Sequence, residues 1–175
     1  MRDATQTKLY RFGETTFDQV VSRDGIYLSG CHFSQFHIPN FLPSNSIKVF
    51  LGNRHLIVLN KKDGKCFAVG DNSNGQCAQH KEIRWIPSLQ NTPIQIKSKI
   101  LQVACGESHT MLLDHFGKLF AFGCGRNGRL GLGRNVLNRH FPHLVEVPTK
   151  SNENIEEDVR FSHVACGPMH TLACG

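Results

Sequence analysis

Val103-Ala104-Cys105-Gly106-Glu107-Ser108-His109-Thr110, followed by Lys118-Leu119-Phe120-Ala121-Phe122-Gly123, is the stretch whose reading decides the fold, because this chain writes it more than once. Val164-Ala165-Cys166-Gly167-Pro168-Met169-His170-Thr171 restarts the phrase. A more divergent copy runs from Phe50-Leu51-Gly52-Asn53-Arg54-His55 to Gly64-Lys65-Cys66-Phe67-Ala68-Val69-Gly70. The spacing is regular: Gly52 to Gly106 is 54 residues, Gly106 to Gly167 is 61, and Gly70 to Gly123 is 53. Inside each unit Gly64 to Gly70 and Gly117 to Gly123 are both 6 residues, and Gly70 to Gly75 and Gly123 to Gly128 both 5. A period of this length, held in register, is the mark of stacked structural units.

One unit can be read physically. Residues 100–105 (ILQVAC) and 110–113 (TMLL) are short apolar runs split by the polar break Gly106-Glu107-Ser108-His109. Asp114-His115-Phe116-Gly117 is a turn signal, and residues 118–122 form another run of strand length. Three or four short strands within about 35 residues predict an antiparallel meander. Met111, Leu112 and Leu113 are consecutive apolar residues, as are Leu119 to Phe122, so the polar alternation of a half-wet sheet is missing. A sheet covered on both faces needs no alternation, so each unit requires a neighbour on either side, the situation of a propeller blade. Gly123-Cys124-Gly125-Arg126-Asn127-Gly128 must turn sharply as it leaves its strand; the divergent copy does so as Gly70-Asp71-Asn72-Ser73-Asn74-Gly75. Glycine and asparagine are expected to share this role because both tolerate left-handed backbone.

Composition sets the outer limits. The chain has 175 residues, 39% hydrophobic and 19% charged, with a formal net charge of +6 and seven cysteines. It contains no apolar run near the ~18 residues that a membrane span requires, and residues 1–8 lack the apolar segment of a secretory signal. An odd number of cysteines without framework spacing points to reduced thiols in the cytosol or nucleus. The net positive charge suits anionic partners, and its mild gatherings are Lys61, Lys62 and Lys65, and Arg126, Arg129, Arg134 and Arg139.

The phrase A-C-G-x-x-H-T, then L-F-A-F-G, then N-G-R-L-G-L-G resembles the repeats of the regulator of chromosome condensation family. That resemblance implies a seven-bladed β-propeller fold. Residues 100–133 match well, 49–78 moderately, 161–175 match the opening of a further unit, and the N-terminal 48 match poorly. The expected organisation is a divergent strand and hairpin over 1–48, repeat units over 49–99 and 100–160, and the start of another over 161–175. Within the first part, Lys8 to Gly13 echoes Lys118 to Gly123, and Val20 to Gly30 echoes the hairpin ending at Gly123. The second is expected to be the true hairpin and the first a single strand completing a distant blade. At about 54 residues per blade, this length makes an incomplete all-β propeller of about three blades, expected to be an N-terminal fragment, a truncated product, or a chain whose missing blades come from elsewhere.

Three candidate sites have structural explanations. Gly123-x-Gly125-x-x-Gly128 spells a dinucleotide fingerprint, which works only where a helix follows to face a pyrophosphate; Arg129-Leu130-Gly131-Leu132-Gly133 will not start one, so no cofactor is expected. Cys105 with His109 and Cys166 with His170 are zinc-ligand types, yet Leu51 replaces the cysteine ahead of His55. A position accepting Leu or Cys is packed in apolar surroundings, so no metal site is expected, and the histidine is expected to bond backbone groups at a blade corner. Ser108 and His109 are adjacent on one strand and should diverge to opposite faces, so no catalytic residues are assigned.

The resemblance implies two readings of function. One is a non-enzymatic interaction scaffold that presents inter-blade loops to protein partners; independently of the resemblance, the gathered charges of Arg126, Arg129, Arg134 and Arg139 make them candidate partner-binding residues, toward chromatin in particular. The other is guanine-nucleotide exchange on a Ran-like small GTPase, with chromatin as a further partner. Exchange requires only that the GTPase bind better without nucleotide than with it. No apolar wedge insertion is visible: the one enlarged connection, Thr149 to Asp158, is polar and acidic and accounts for the 61-residue spacing. No membrane and no small-molecule substrate is expected as a partner.

Overall fold

The computed structural model of the chain describes residues 8–12, 33–37, 42, 46–89, 93–147 and 159–175. Twelve strands lie in these residues: β1 (Lys8–Phe12), β2 (Phe33–His37), β3 (Ile47–Leu51), β4 (His55–Asn60), β5 (Cys66–Asp71), β6 (Trp85–Ile86), β7 (Ile100–Cys105), β8 (His109–Asp114), β9 (Leu119–Cys124), β10 (Asn138–Leu144), β11 (His163–Cys166) and β12 (Thr171–Cys174). Among the described residues no α-helix forms.

Two four-stranded antiparallel sheets repeat one design, in the orders β3-β4-β5-β6 and β7-β8-β9-β10, and β11-β12 is a two-stranded sheet. The registers are equivalent: His55 lies opposite Gly70 in the first sheet and His109 opposite Gly123 in the second. Among the described residues the chain is all-β, with two blades, the opening strands of a further one and the separate β1-β2 pair, the propeller arrangement expected from the repeat. At the N-terminal end, Lys8–Phe12 is a strand, and its partner is Phe33–His37; the hairpin expected over Val20 to Gly30 lies outside the described residues.

Burial follows from stacking. Strands β4, β5 and β8 are buried along their whole length. Successive side chains on a strand point to opposite faces, and the two cores divide accordingly. Leu112 and Phe122 pack into the cluster shared with Leu56, Val58 and Phe67 of the first sheet. Their neighbours Met111, Leu113 and Ala121 pack into the cluster that holds Val164 of β11. The second sheet is thus apolar on both faces because each face meets a different blade. Leu112, fully buried, contributes about 1.5–3 kcal/mol to this stack.

The hairpin turns fasten one blade to the next. Asp114 is buried, and its Oδ1 accepts the Phe116 and Lys118 amides at 2.9 and 2.8 Å, an aspartate turn that closes the β8–β9 connection. Gly117 sits there at φ +81°, as Gly64 does at +73° in the β4–β5 turn. The Gly64 carbonyl accepts the Ile100 amide at 3.1 Å, and the Gly117 carbonyl accepts the Phe161 amide at 2.8 Å. Each turn therefore docks on the chain entering the following blade. That docking leaves no room for a side chain: a Cβ on Gly64 would lie 2.7 Å from the Ile100 nitrogen.

Candidate functional site

A relay of side chains spans each blade interface. The imidazole Nε2 of His55 lies 2.9 Å from the Thr110 hydroxyl, which donates to the Gln76 carbonyl at 2.8 Å. One unit later, His109 Nε2 lies 3.0 Å from the Thr171 hydroxyl, which donates to the Arg129 carbonyl at 2.8 Å. Because each hydroxyl spends its proton on a carbonyl, it must accept from the histidine, which fixes the Nε2–H tautomer. Backbone partners are the expectation for these histidines, and His109 does meet the His170 backbone, but the partner shared by both is the threonine of the next blade, and through it a backbone carbonyl is reached one step later. A hydroxyl accepts and donates at once, so it satisfies two buried groups across the gap where a carbonyl alone could satisfy one. Both histidines are fully buried. Burial, aided by a neighbouring positive or titratable group, pushes each imidazole down to about 4, so both are neutral near pH 7.

The relay engages only Nε2; Nδ1 of His55 and of His109 is buried without a hydrogen-bond partner, packed so closely on Gly52 or Gly106 that not even a Cβ would fit between, which is no place for an ion. The thiols are equally unsuited, since burial pushes Cys105 far above its ordinary value and Cys166 up to about 11, and a metal ligand or nucleophile must be a thiolate. Among the described residues, no three His, Cys, Asp or Glu side chains converge on a common point. Cys105 and Cys166 line a cavity of 440 Å³ together with Leu51, and Gly52, Gly106 and Gly167 also face it. Equivalent positions of three units therefore meet at one place, as they must around an axis.

At the blade exit Asn127 takes the left-handed backbone expected, at φ +60°, and Gly70, Gly75, Gly123 and Gly128 also have positive φ, but Asn72 has a different reason. Asn72 is not in left-handed backbone. Its Nδ2 donates to the Ile83 carbonyl at 2.6 Å and to the Gln79 carbonyl at 3.1 Å, while its Oδ1 accepts the Cys77 amide at 3.1 Å. The buried side chain ties down its own loop. The equivalent Gly125 instead packs against the Val136 and Leu137 carbonyls, where a Cβ would collide.

The four arginines of the candidate binding surface are not brought together. The connection from β9 to β10 starts with a 3-10 turn, Arg126–Gly128, and it lines an open depression of 960 Å³ with Leu144 and Glu146. Arg126 and Arg134 are exposed on this loop, where Leu137 is 67% exposed. Arg129 turns inward and is 6% exposed. Its Nε donates to the Arg126 carbonyl at 2.9 Å and a terminal nitrogen reaches the Pro168 carbonyl at 3.5 Å. It therefore braces the loop against the third blade. Arg139 is half-buried in β10 opposite Gly123 and donates to the Asn138 carbonyl at 3.3 Å. The threonines of the relay are the last residues of the repeated A-C-G-x-x-H-T phrase, at 110 and 171; their bonding to the preceding blade's histidine has no mark within a single unit.

The arrangement can bind and brace. Comparisons with known proteins agree on its kind. The family described as Regulator of chromosome condensation (RCC1) repeat matches residues 63–113 and 117–174, and a second description of the same repeat matches 47–76. The X-linked retinitis pigmentosa GTPase regulator of Mus musculus is 32% identical over 140 residues, which is 75% of this chain and 12% of that protein. The ultraviolet-B receptor UVR8 of Arabidopsis thaliana is 35% identical over 112 residues, 60% of this chain and 24% of the receptor. The human RCC1-like G exchanging factor-like protein is 31% identical over 111 residues, 59% of this chain and 21% of that protein. Among solved structures, Prp20p from Saccharomyces cerevisiae, described with its binding properties to Gsp1p and histones, aligns with a TM-score of 0.66 at 18% identity. The alignment covers 82% of this chain and 33% of that one. Human WBSCR16 aligns with a TM-score of 0.67 at 18% identity over 87% of this chain and 35% of its own. The chain thus spans a small part of each curated relative and about a third of each solved structure.

Proposed function

Since this chain belongs to the regulator of chromosome condensation repeat family, we propose that it acts as a protein-interaction scaffold, non-enzymatic in itself, that presents its inter-blade loops to protein partners in the cytosol or nucleus. The observation that carries this reading is the contrast between frame and loop. The blades are locked by buried relays, while the β9–β10 connection holds Arg126 and Arg134 exposed beside an open depression. Binding residues on loops held by a rigid scaffold are the usual arrangement. Arg126 and Arg134 are the proposed contacts; Arg129 supports them from beneath, and Arg139 flanks them in the adjoining strand.

A second reading, exchange on a Ran-like small GTPase with chromatin as a further partner, is favoured by two relatives. One is named as an exchange-factor-like protein, and another is described with binding to Gsp1p and histones. It requires no catalytic side chain, only differential affinity for the nucleotide-free GTPase. Release of a labelled GDP analogue from Ran separates the two. Acceleration by micromolar chain supports exchange. No acceleration, together with a stable non-GTPase partner that the wild type retains and Arg126→Glu with Arg134→Glu loses, supports the scaffold. If that partner is retained by the double variant, the loop is not the binding surface.

A further inference from the structure

Against the sequence-based expectation of no membrane partner, we propose that the opposite end of the blades, where the β4–β5 and β8–β9 turns project, docks on an anionic lipid surface. The blade strands are antiparallel, so these turns lie at the end of the sheets away from the β3–β4 and β7–β8 turns, and hydrogen bonds join them into one ridge. Lys99 Nζ donates to the Lys62 carbonyl at 3.1 Å. The His115 amide donates to the Lys99 carbonyl at 3.0 Å, and Phe161, next to Arg160, donates its amide to the Gly117 carbonyl at 2.8 Å. Lys61, Lys62, Lys99, Lys118 and Arg160 are therefore consecutive along the ridge, and all are exposed. Lys65 and Asp63 stand 4.0 Å apart and offset each other. Among the described residues the other carboxylates toward this end are Asp114, buried in the β8–β9 turn on the Phe116 and Lys118 amides, and the exposed Glu146 beyond β10; in sequence Glu153, Glu156, Glu157 and Asp158 lead into Arg160. Elsewhere charges are mixed, as in the Arg54–Asp71 pair at 3.9 Å.

Phe116 chooses the occupant. It sits at the tip of the β8–β9 turn, 55% exposed, with its ring centroid 3.8 Å from that of His115 and Lys118 two residues on. An aromatic ring held out among lysines on a projecting turn suits the lipid interface, where the ring enters the headgroup layer and the ammonium groups meet acidic headgroups. A duplex nucleic acid would use the charges and leave the ring unburied. A peptide would need side-chain pockets, and neither cavity described above includes a ridge residue. No described helix is long and apolar enough to cross a membrane, and this contact needs none, since it is made by turn tips from one side.

The test is co-sedimentation of the whole 175-residue chain with phosphatidylcholine vesicles carrying about 30% phosphatidylserine, against pure phosphatidylcholine, at two salt concentrations. The expected result is binding to the acidic vesicles only, weakened by salt. Lys61→Glu with Lys62→Glu should reduce it at least about 25-fold, since each lysine near such a surface is worth about fivefold. Phe116→Ala should weaken it several-fold without changing its salt dependence. The milder pair Lys62→Gln with Lys118→Gln guards against misfolding, as does an unchanged unfolding midpoint. Arg126→Glu with Arg134→Glu should leave vesicle binding intact. The proposal is overturned if acidic vesicles do not bind, if the arginine pair lowers binding as much as the lysine pair, or if the ridge lysines serve a DNA duplex while vesicles are ignored.

Discussion

His55 and Thr110 are 55 residues apart in sequence and 2.9 Å apart in space, and their contact joins the first blade to the second. The same pairing recurs between His109 and Thr171 at 3.0 Å. The repeat period is therefore also the reach of a hydrogen bond: each unit supplies the histidine for the next unit's threonine. Gly52 and Gly106 belong to the same device, because a Cβ at either would run into the His55 or His109 ring.

Thr110→Val tests the relay. It removes the hydroxyl while keeping the volume, and leaves two buried polar groups, His55 Nε2 and the Gln76 carbonyl, without partners. The expected loss is about 2–4 kcal/mol in urea unfolding. Thr110→Ser keeps both bonds and removes one methyl, for a loss of about 1 kcal/mol. Equal losses for the two variants would mean that packing, not hydrogen bonding, holds the interface.

The same histidines set an acid limit. Their folded values lie near 4, below the ordinary 6.5, so the unfolded chain takes up protons first as the pH falls. Stability contributed by the neutral relay is complete above pH 6.5, declines between 6.5 and about 4, and is lost below. The full loss is about 3 kcal/mol per histidine. Denaturation midpoints measured from pH 7.5 to 4 should therefore fall, and His55→Gln should flatten part of the slope.

Turn docking makes a separate prediction. Gly117→Ala forces a side chain into left-handed backbone at φ +81° and places its Cβ 2.9 Å from the Arg160 Cβ and 3.1 Å from the Phe161 carbonyl. Gly128 has a similar φ of +70° with nothing within 4 Å. Gly128→Ala should thus cost only the backbone term, about 1 kcal/mol, and Gly117→Ala about 2 kcal/mol or more. The difference between their unfolding free energies measures how tightly that turn is seated on the third blade.

How far the sequence reached is explained by the kind of signal each feature carries. Consecutive apolar residues such as Met111, Leu112 and Leu113 announce burial on both faces, since strand geometry sends neighbours to opposite sides, and the two cores divide them so. Turn glycines repeat because backbone conformation is a local demand. The relay was harder to see because His55 meets a threonine in another unit, and the divergent copy has Leu56 where the others have threonine. The arginines were misleading for a related reason. Charge in a loop reads as surface, and only the packing of the next blade reveals that Arg129 points inward.

That inward turn separates support from contact in the proposed binding loop. Gln76 occupies in the first blade the place of Arg129 in the second, and the carbonyls of both accept a threonine hydroxyl. Arg129→Gln therefore substitutes a side chain that the site's own repeat already accommodates, and its unfolding free energy should change by about 1 kcal/mol at most. Arg129→Glu brings a carboxylate against the Arg126 and Pro168 carbonyls, which repel it, and should cost about 3 kcal/mol or more. Arg126→Glu and Arg134→Glu, both exposed, should leave stability within about 0.5 kcal/mol. Binding to a captured partner should follow the opposite order. It falls for the exposed pair although the protein is fully folded, and for Arg129→Glu it falls only as far as the folded fraction does. A binding loss for Arg129→Gln as large as for the exposed pair, at unchanged stability, would make Arg129 a contact residue and not a brace.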